Sequence, residues 1–96
     1  MKVGKTQADG VFIKDDTKFF VEIDLSGNMD AKQMRAKWRR YAGVEDFILV
    51  VAMTDSRMEK LMQGAELVKS IALFTTFQRL REGRPWVDCF GATVTL

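Results

Sequence analysis

The sequence predicts a small α/β (α+β) domain, a mixed β-sheet flanked by two helices, with elements in the order β-β-α-β-α-β and one further closing strand. Three observations carry this. Two β-rich runs stand close enough to form a hairpin; the apolar period then changes from two to that of a helix; and "DFILVVAM" is apolar without alternation, as a strand covered on both faces must be. With 96 residues the chain supports one domain spanning 1–96, and at that size it needs a dense core.

The elements follow in order. "GVFIK" and "KFFVEID" are separated by "DDT", the spacing and chemistry of a tight hairpin. From Met29 to Tyr41, the residues Met34, Trp38 and Tyr41 recur at helical spacing, with Asn28 or Asp30 as cap and Gly43 as stop. After the apolar strand, "TDS" caps a second helix whose stripe is Met58, Leu61, Met62 and Ala65. "SIALFTT" (70–76) predicts another strand, and "FQRLREGRP" a helical turn or loop broken by Gly83 and Pro85. The tail "WVDCFGATVTL" supplies one or two closing strands around Gly91. Periodicity assigns Met58, Met62, Phe74, Phe77 and Trp86 to the core, and Cys89 to a strand as a small buried hydrophobe.

Composition restricts the chemistry. An apolar share of 47% with 29% charged residues describes a globular chain rather than a disordered one. The longest apolar run is far too short to span a membrane, and "MKVGKTQADG" lacks the apolar core of a signal peptide, so the expectation is a cytoplasmic protein. One cysteine forbids an internal disulfide and fits a reducing compartment. Histidine is absent, which removes Ser-His and Cys-His nucleophilic pairs and the usual zinc ligand sets. Carboxylate, lysine and hydroxyl chemistry remains, with oxygen ligands suited to magnesium or manganese. No glycine-rich phosphate loop, CxxC pair or nucleophile elbow is present.

Alternation along "KFFVEID" sets Glu22 and Asp24 on one face of a strand, roughly 7 Å apart. Such a pair repels unless water, a base or a cation lies between. A hairpin closed at residues 15–17 brings Asp9 opposite the region of Glu22 to Asp24, so three carboxylates converge at its open end. Lys37 flanks the apolar stripe of the following helix. There it either snorkels, with its stem on the core and its ammonium in water, or turns toward the carboxylates. Lys32, Arg35, Arg39 and Arg40 lie on the same helix, where no acid follows Asp30. A basic face of that kind suits a phosphate backbone, and Arg79, Arg81 and Arg84 extend the basic character. A net charge of +2 does not argue for nucleic acid by itself, and charge runs on helices are commonly only solvated faces.

A hairpin carrying Asp9 in "ADG" and Glu22 in "EID", then a helix, a central strand and another helix, resembles the core of the PD-(D/E)XK nuclease superfamily, the restriction-endonuclease-like fold. More narrowly, "FFVEID", "KWRRY", "FILVVAMTDSRMEKL", "ALFTTFQRL" and "PWVDCFGATVTL" resemble the C-terminal part of plasmid replication-relaxation proteins, over most of the chain. The resemblance implies DNA processing linked to plasmid or mobile-element replication, by Mg2+ (or Mn2+)-dependent phosphodiester hydrolysis. Asp9, Glu22 and Asp24 would hold the metal, with Lys37 completing the catalytic set. Two positions depart from the pattern: Ala8 stands in place of proline, and Asp24 in place of the lysine that helps to orient or activate water. Some superfamily members supply that lysine from the next helix, the role the resemblance implies for Lys37. Replication-relaxation proteins usually carry a winged-helix segment upstream, so this chain would correspond to the nuclease-like part alone. The partner expected is DNA, met by Lys32, Arg35, Arg39 and Arg40. Two rival expectations are a non-catalytic DNA-binding or protein-interaction module that kept the fold, and a domain that completes its core as a homodimer.

Overall fold

The computed structural model describes residues 9–24, 31–41 and 46–96. Six strands form one mixed sheet whose spatial order follows the chain: β1 (Gly10–Lys14), β2 (Thr17–Asp24), β3 (Phe47–Ala52), β4 (Ala72–Thr76), β5 (Trp86–Asp88) and β6 (Thr93–Val94). The outer pairs β1–β2, β4–β5 and β5–β6 are antiparallel, while β2, β3 and β4 run parallel. Parallel neighbours need crossovers, and helices α1 (Ala31–Arg39) and α2 (Asp55–Gln63) supply them. A single 3₁₀ turn, Glu66–Val68, follows α2 before β4.

The β1–β2 hairpin closes through Asp15 and Asp16, whose φ angles of 49° and 65° are both left-handed. A two-residue type I′ turn demands this, and aspartate tolerates it better than most side chains. The turn fixes the register from Lys14↔Thr17 to Gly10↔Val21. It therefore fixes which β2 side chains share a face.

Both crossovers step the same way across the sheet, so the right-handed rule sets α1 and α2 on one face. The main core lies between them and that face. Trp38 and Tyr41 from the α1 side, with Met58 and Leu61 from α2, pack on Ile48, Val50, Ala52, Ala72 and Phe74. A smaller cluster of Phe19, Leu49 and Leu73, flanked by Val21, Trp86 and Val94, occupies the opposite face. β3 thus buries both faces, as its unbroken apolar run predicts. Each fully buried large apolar side chain contributes on the order of 1.5–3 kcal/mol.

Several boundaries differ from the sequence reading. β4 starts at Ala72 because Ser70 and Ile71 belong to the turn after the 3₁₀ segment. Ala65 is buried, yet it lies beyond the end of α2 at Gly64. "FQRLR" forms a five-residue helix, α3 (Phe77–Arg81), capped by Thr76 and ended before Gly83. Met62, Phe77 and Trp86 are half-buried rather than central. Cys89 sits in the turn between β5 and β6, not in a strand. It is half-buried, and burial pushes its thiol up to about 11. Asn28, Asp30, Gly43, Ala8 and the side chain of Met34 lie outside the described residues. Among the described residues no helix is long and apolar enough to cross a membrane.

Candidate functional site

Asp9, Glu22 and Asp24 meet different fates at the carboxyl end of β2. Continuing the hairpin one step beyond Gly10↔Val21 brings Asp9 opposite Glu22, the cross-strand placement that alternation and hairpin length predict. Asp9 is exposed, and its Oδ2 accepts from the Ile23 N–H at 2.7 Å. That N–H points toward β1 just where β1 ends, so the carboxylate extends the ladder by one bond. This anchors Asp9 beside Glu22 without using a basic partner.

Glu22 faces the α1 side of the sheet and is only 4% exposed. A carboxylate this deep must be paired and hydrogen-bonded to remain charged. Both requirements are met. Lys37 Nζ lies 2.8 Å from Oε1, and the Tyr41 hydroxyl donates to Oε2. Lys37 and Tyr41 are four residues apart, at the end of α1 and just beyond it, so they present neighbouring positions to the same side chain. Trp38, between them, fills the core instead. Lys37 therefore turns toward the carboxylate, and its stem is largely covered.

Tyr41 is 2% exposed, with its ring against Phe20 and Trp38. Its hydroxyl is pushed far above the ordinary tyrosine range, first by burial, then by the hydrogen bond to Glu22 and the negative charge of that group. The phenol is thus held protonated, as a donor. The sequence stripe placed Tyr41 in the core and gave no sign of this second role, because an amphipathic pattern does not reveal what a buried hydroxyl meets.

Asp24, equally buried at 4%, is engaged elsewhere. Arg57 Nε lies 2.7 Å from Oδ2 and Nη2 3.3 Å from Oδ1, a two-point contact by a planar fork. The position of Arg57 follows from the cap. Thr54 Oγ1 accepts from the Arg57 N–H, so Arg57 is the third residue of α2 and starts beside the strand ends. The same Thr-x-x-Arg device recurs one crossover later: Thr76 Oγ1 accepts from the Arg79 N–H, and Arg79 Nε reaches Asp55 Oδ1 at 2.8 Å. That contact holds the Asp55 carboxyl below the usual range. Among the described residues no group of three His, Cys, Asp or Glu side chains is arranged to hold a metal ion.

Lys32, Arg35 and Arg39 are exposed on α1, and Arg40 is exposed just beyond its end. Of the later basic residues, Arg79 and Arg84 lie against Asp55 and Glu82, while Arg81 is exposed. Lys14, Lys18 and Lys60 are exposed as well, so the basic face of α1 is one of several exposed basic stretches. Compared with family models, with curated proteins and with solved structures, the chain finds no match.

Proposed function

We propose that the chain is a DNA-processing domain that hydrolyses phosphodiester bonds with the help of a divalent cation, at a site formed by Asp9, Glu22 and Lys37. The observation that carries this reading is the meeting of three elements: an exposed carboxylate anchored at the open end of β1, a second carboxylate opposite it on β2, and a lysine from α1 reaching the second at 2.8 Å. Magnesium keeps several waters and needs only one or two protein carboxylates beside substrate phosphate, so Asp9 and Glu22 are a fitting oxygen donor pair. Asp24 does not fit, because Arg57 already neutralises it through two contacts. When bound, the cation offsets phosphate charge and lowers the pKa of its water.

The chain's own residues supply orientation. Tyr41 and Lys37 each take one oxygen of Glu22 and fix the carboxylate plane, while the Ile23 N–H fixes Asp9. The Lys37 ammonium offers positive charge to a phosphate oxygen. Lys32, Arg35, Arg39 and Arg40 meet the backbone on either side, a contact without sequence preference and sensitive to salt. DNA is thus the proposed partner, and Mg2+ or Mn2+ the proposed cofactor.

A second reading is DNA binding without hydrolysis. It is favoured by the 4% exposure of Glu22 and by both its oxygens having partners within the fold. Incubating the protein with supercoiled, linear and branched DNA, with magnesium, manganese or EDTA, separates the two. Cleavage that needs the metal and disappears in Glu22→Gln and Lys37→Ala is the expected result. Retention of DNA that survives EDTA, with no cutting by the wild type, establishes the second reading instead. Failure to retain any DNA at low salt removes both.

A further inference from the structure

Among the described residues, the edge strand β1 carries an apolar strip that no other element covers. Val11 is 54% exposed, Phe12 43% and Ile13 71%, although they occupy consecutive positions of a strand. Folded chains usually protect such an edge with charge, proline or a bulge, because its unpaired backbone groups are a template for another strand. Here Lys14 is the strand's one charged residue, at its very end.

The hairpin geometry says which backbone groups are free. In a two-residue hairpin the residues flanking the turn form a hydrogen-bonded pair, and such pairs then alternate. Lys14, Phe12 and Gly10 therefore bond inward to Thr17, Phe19 and Val21. Val11 and Ile13 direct their N–H and C=O groups outward. The Ile23 N–H that meets Asp9 lies on the same alternation, two residues beyond Val21.

We infer that β1 pairs antiparallel with β1 of a second copy of this chain, about a two-fold axis through Phe12. That operation sets Val11 opposite Ile13 of the other copy and Phe12 opposite itself, so the three apolar residues cover one another, while Asp9 opposite Asp15 at each end opposes the pairing. The two outward-facing residues of each copy then exchange backbone bonds with one another. Across the non-hydrogen-bonded Phe12 pair the side chains come closest. That pair extends an aromatic row already built from Phe12, Phe19 and Phe47, with ring centroids 5.3 and 5.8 Å apart. The two six-stranded sheets become one continuous sheet.

The area sets the strength. A five-residue strand is about 17 Å long, and its pairing covers less than the ~800 Å² that each partner buries in a standard interface. The association is a weak and reversible one. It does not depend on the hydrolytic reading of the carboxylates.

Sedimentation velocity on the wild type, from about 1 µM to about 500 µM, is the test. The expected result is a monomer at the low end and a dimer at the high end, with Ile13→Lys and Val11→Lys monomeric at every concentration and unchanged in circular dichroism. Leu67→Lys, at another residue half-exposed to solvent, should dimerise like the wild type. A wild type that stays monomeric throughout, or a dimer that persists in both β1 variants, overturns the inference. So does a dimer lost equally in Leu67→Lys.

Discussion

Two carboxylates two residues apart on the same face of β2, equally buried, are held by different cations in different ways. Asp24 meets a guanidinium through two contacts, whereas Glu22 shares its oxygens between an ammonium and a phenol. The distinction is chemical. A planar fork locks a carboxylate's geometry, while an ammonium is a compact point charge on a flexible stem, able to exchange one anion for another. Glu22 also has Asp9 opposite it; Asp24 is the last residue of its strand and faces the first turn of α2. One pair thus ties β2 to α2, and the other belongs to the site proposed above.

The contrast orders the expected losses of stability. Arg57→Met leaves Asp24 buried without a cation and should cost about 3–5 kcal/mol in urea unfolding. Arg57→Lys should recover only part, since the second contact is lost. Lys37→Met should cost less, about 2–3 kcal/mol, because Tyr41 still donates to Glu22. A loss in Lys37→Met equal to that in Arg57→Met would mean that both pairs are simply structural.

Tyr41→Phe removes one hydrogen bond to a charged acceptor and should cost about 1.5 kcal/mol by the same measurement. The smallest effect is expected of Asp55→Asn, which breaks an exposed ion pair: surface pairs of this kind contribute little. Its urea midpoint should match that of the wild type. Asp55 has a folded pKa below its unfolded value, so whatever it contributes is present at neutral pH and fades as pH falls through the acid range.

Tyr41 has the opposite sign and a direct optical readout, since it is the only tyrosine. Its folded pKa is raised, so its contribution is complete below the unfolded value of about 10. It is lost as pH climbs above that value, where the unfolded chain releases the proton first. In an alkaline titration tyrosinate absorbance should therefore appear together with loss of circular dichroism. In Glu22→Gln it should appear at lower pH, because the hydrogen bond and the charge both act through Glu22, while burial still keeps it above the ordinary range. A wild-type tyrosinate signal in the intact fold near pH 10 would contradict the hydrogen bond.

What could be read in the sequence was whatever depends on local period. The hairpin, the two-faced burial of β3 and the crossover helices follow from alternation, apolar runs and turn residues. So does the shared face of Glu22 and Asp24 with Asp9 across the ladder. Lys37 was legible as far as its helix face. Arg57 was not, because it lies 33 residues from Asp24 and the pairing depends on a parallel crossover that returns α2 to the end of β2. A usable signal did exist in the cap: Thr54 fixes the start of α2, and a residue three positions later must point near the strand ends. α3 is legible only as a helical turn or loop, because five residues between a strand and Gly83 give too short a window for helical period. Cys89 was assigned to a strand that ends one residue before it.

The central claim is that Asp9 and Glu22, and not Asp24, form the cation site. A crystal soaked in manganese tests it most directly, through anomalous density that locates the ion without reference to activity. The account predicts one peak between the Asp9 and Glu22 carboxylates, lost in Glu22→Gln and retained in Asp24→Asn. A peak on Asp24, or no peak near β2 at saturating manganese, would contradict it.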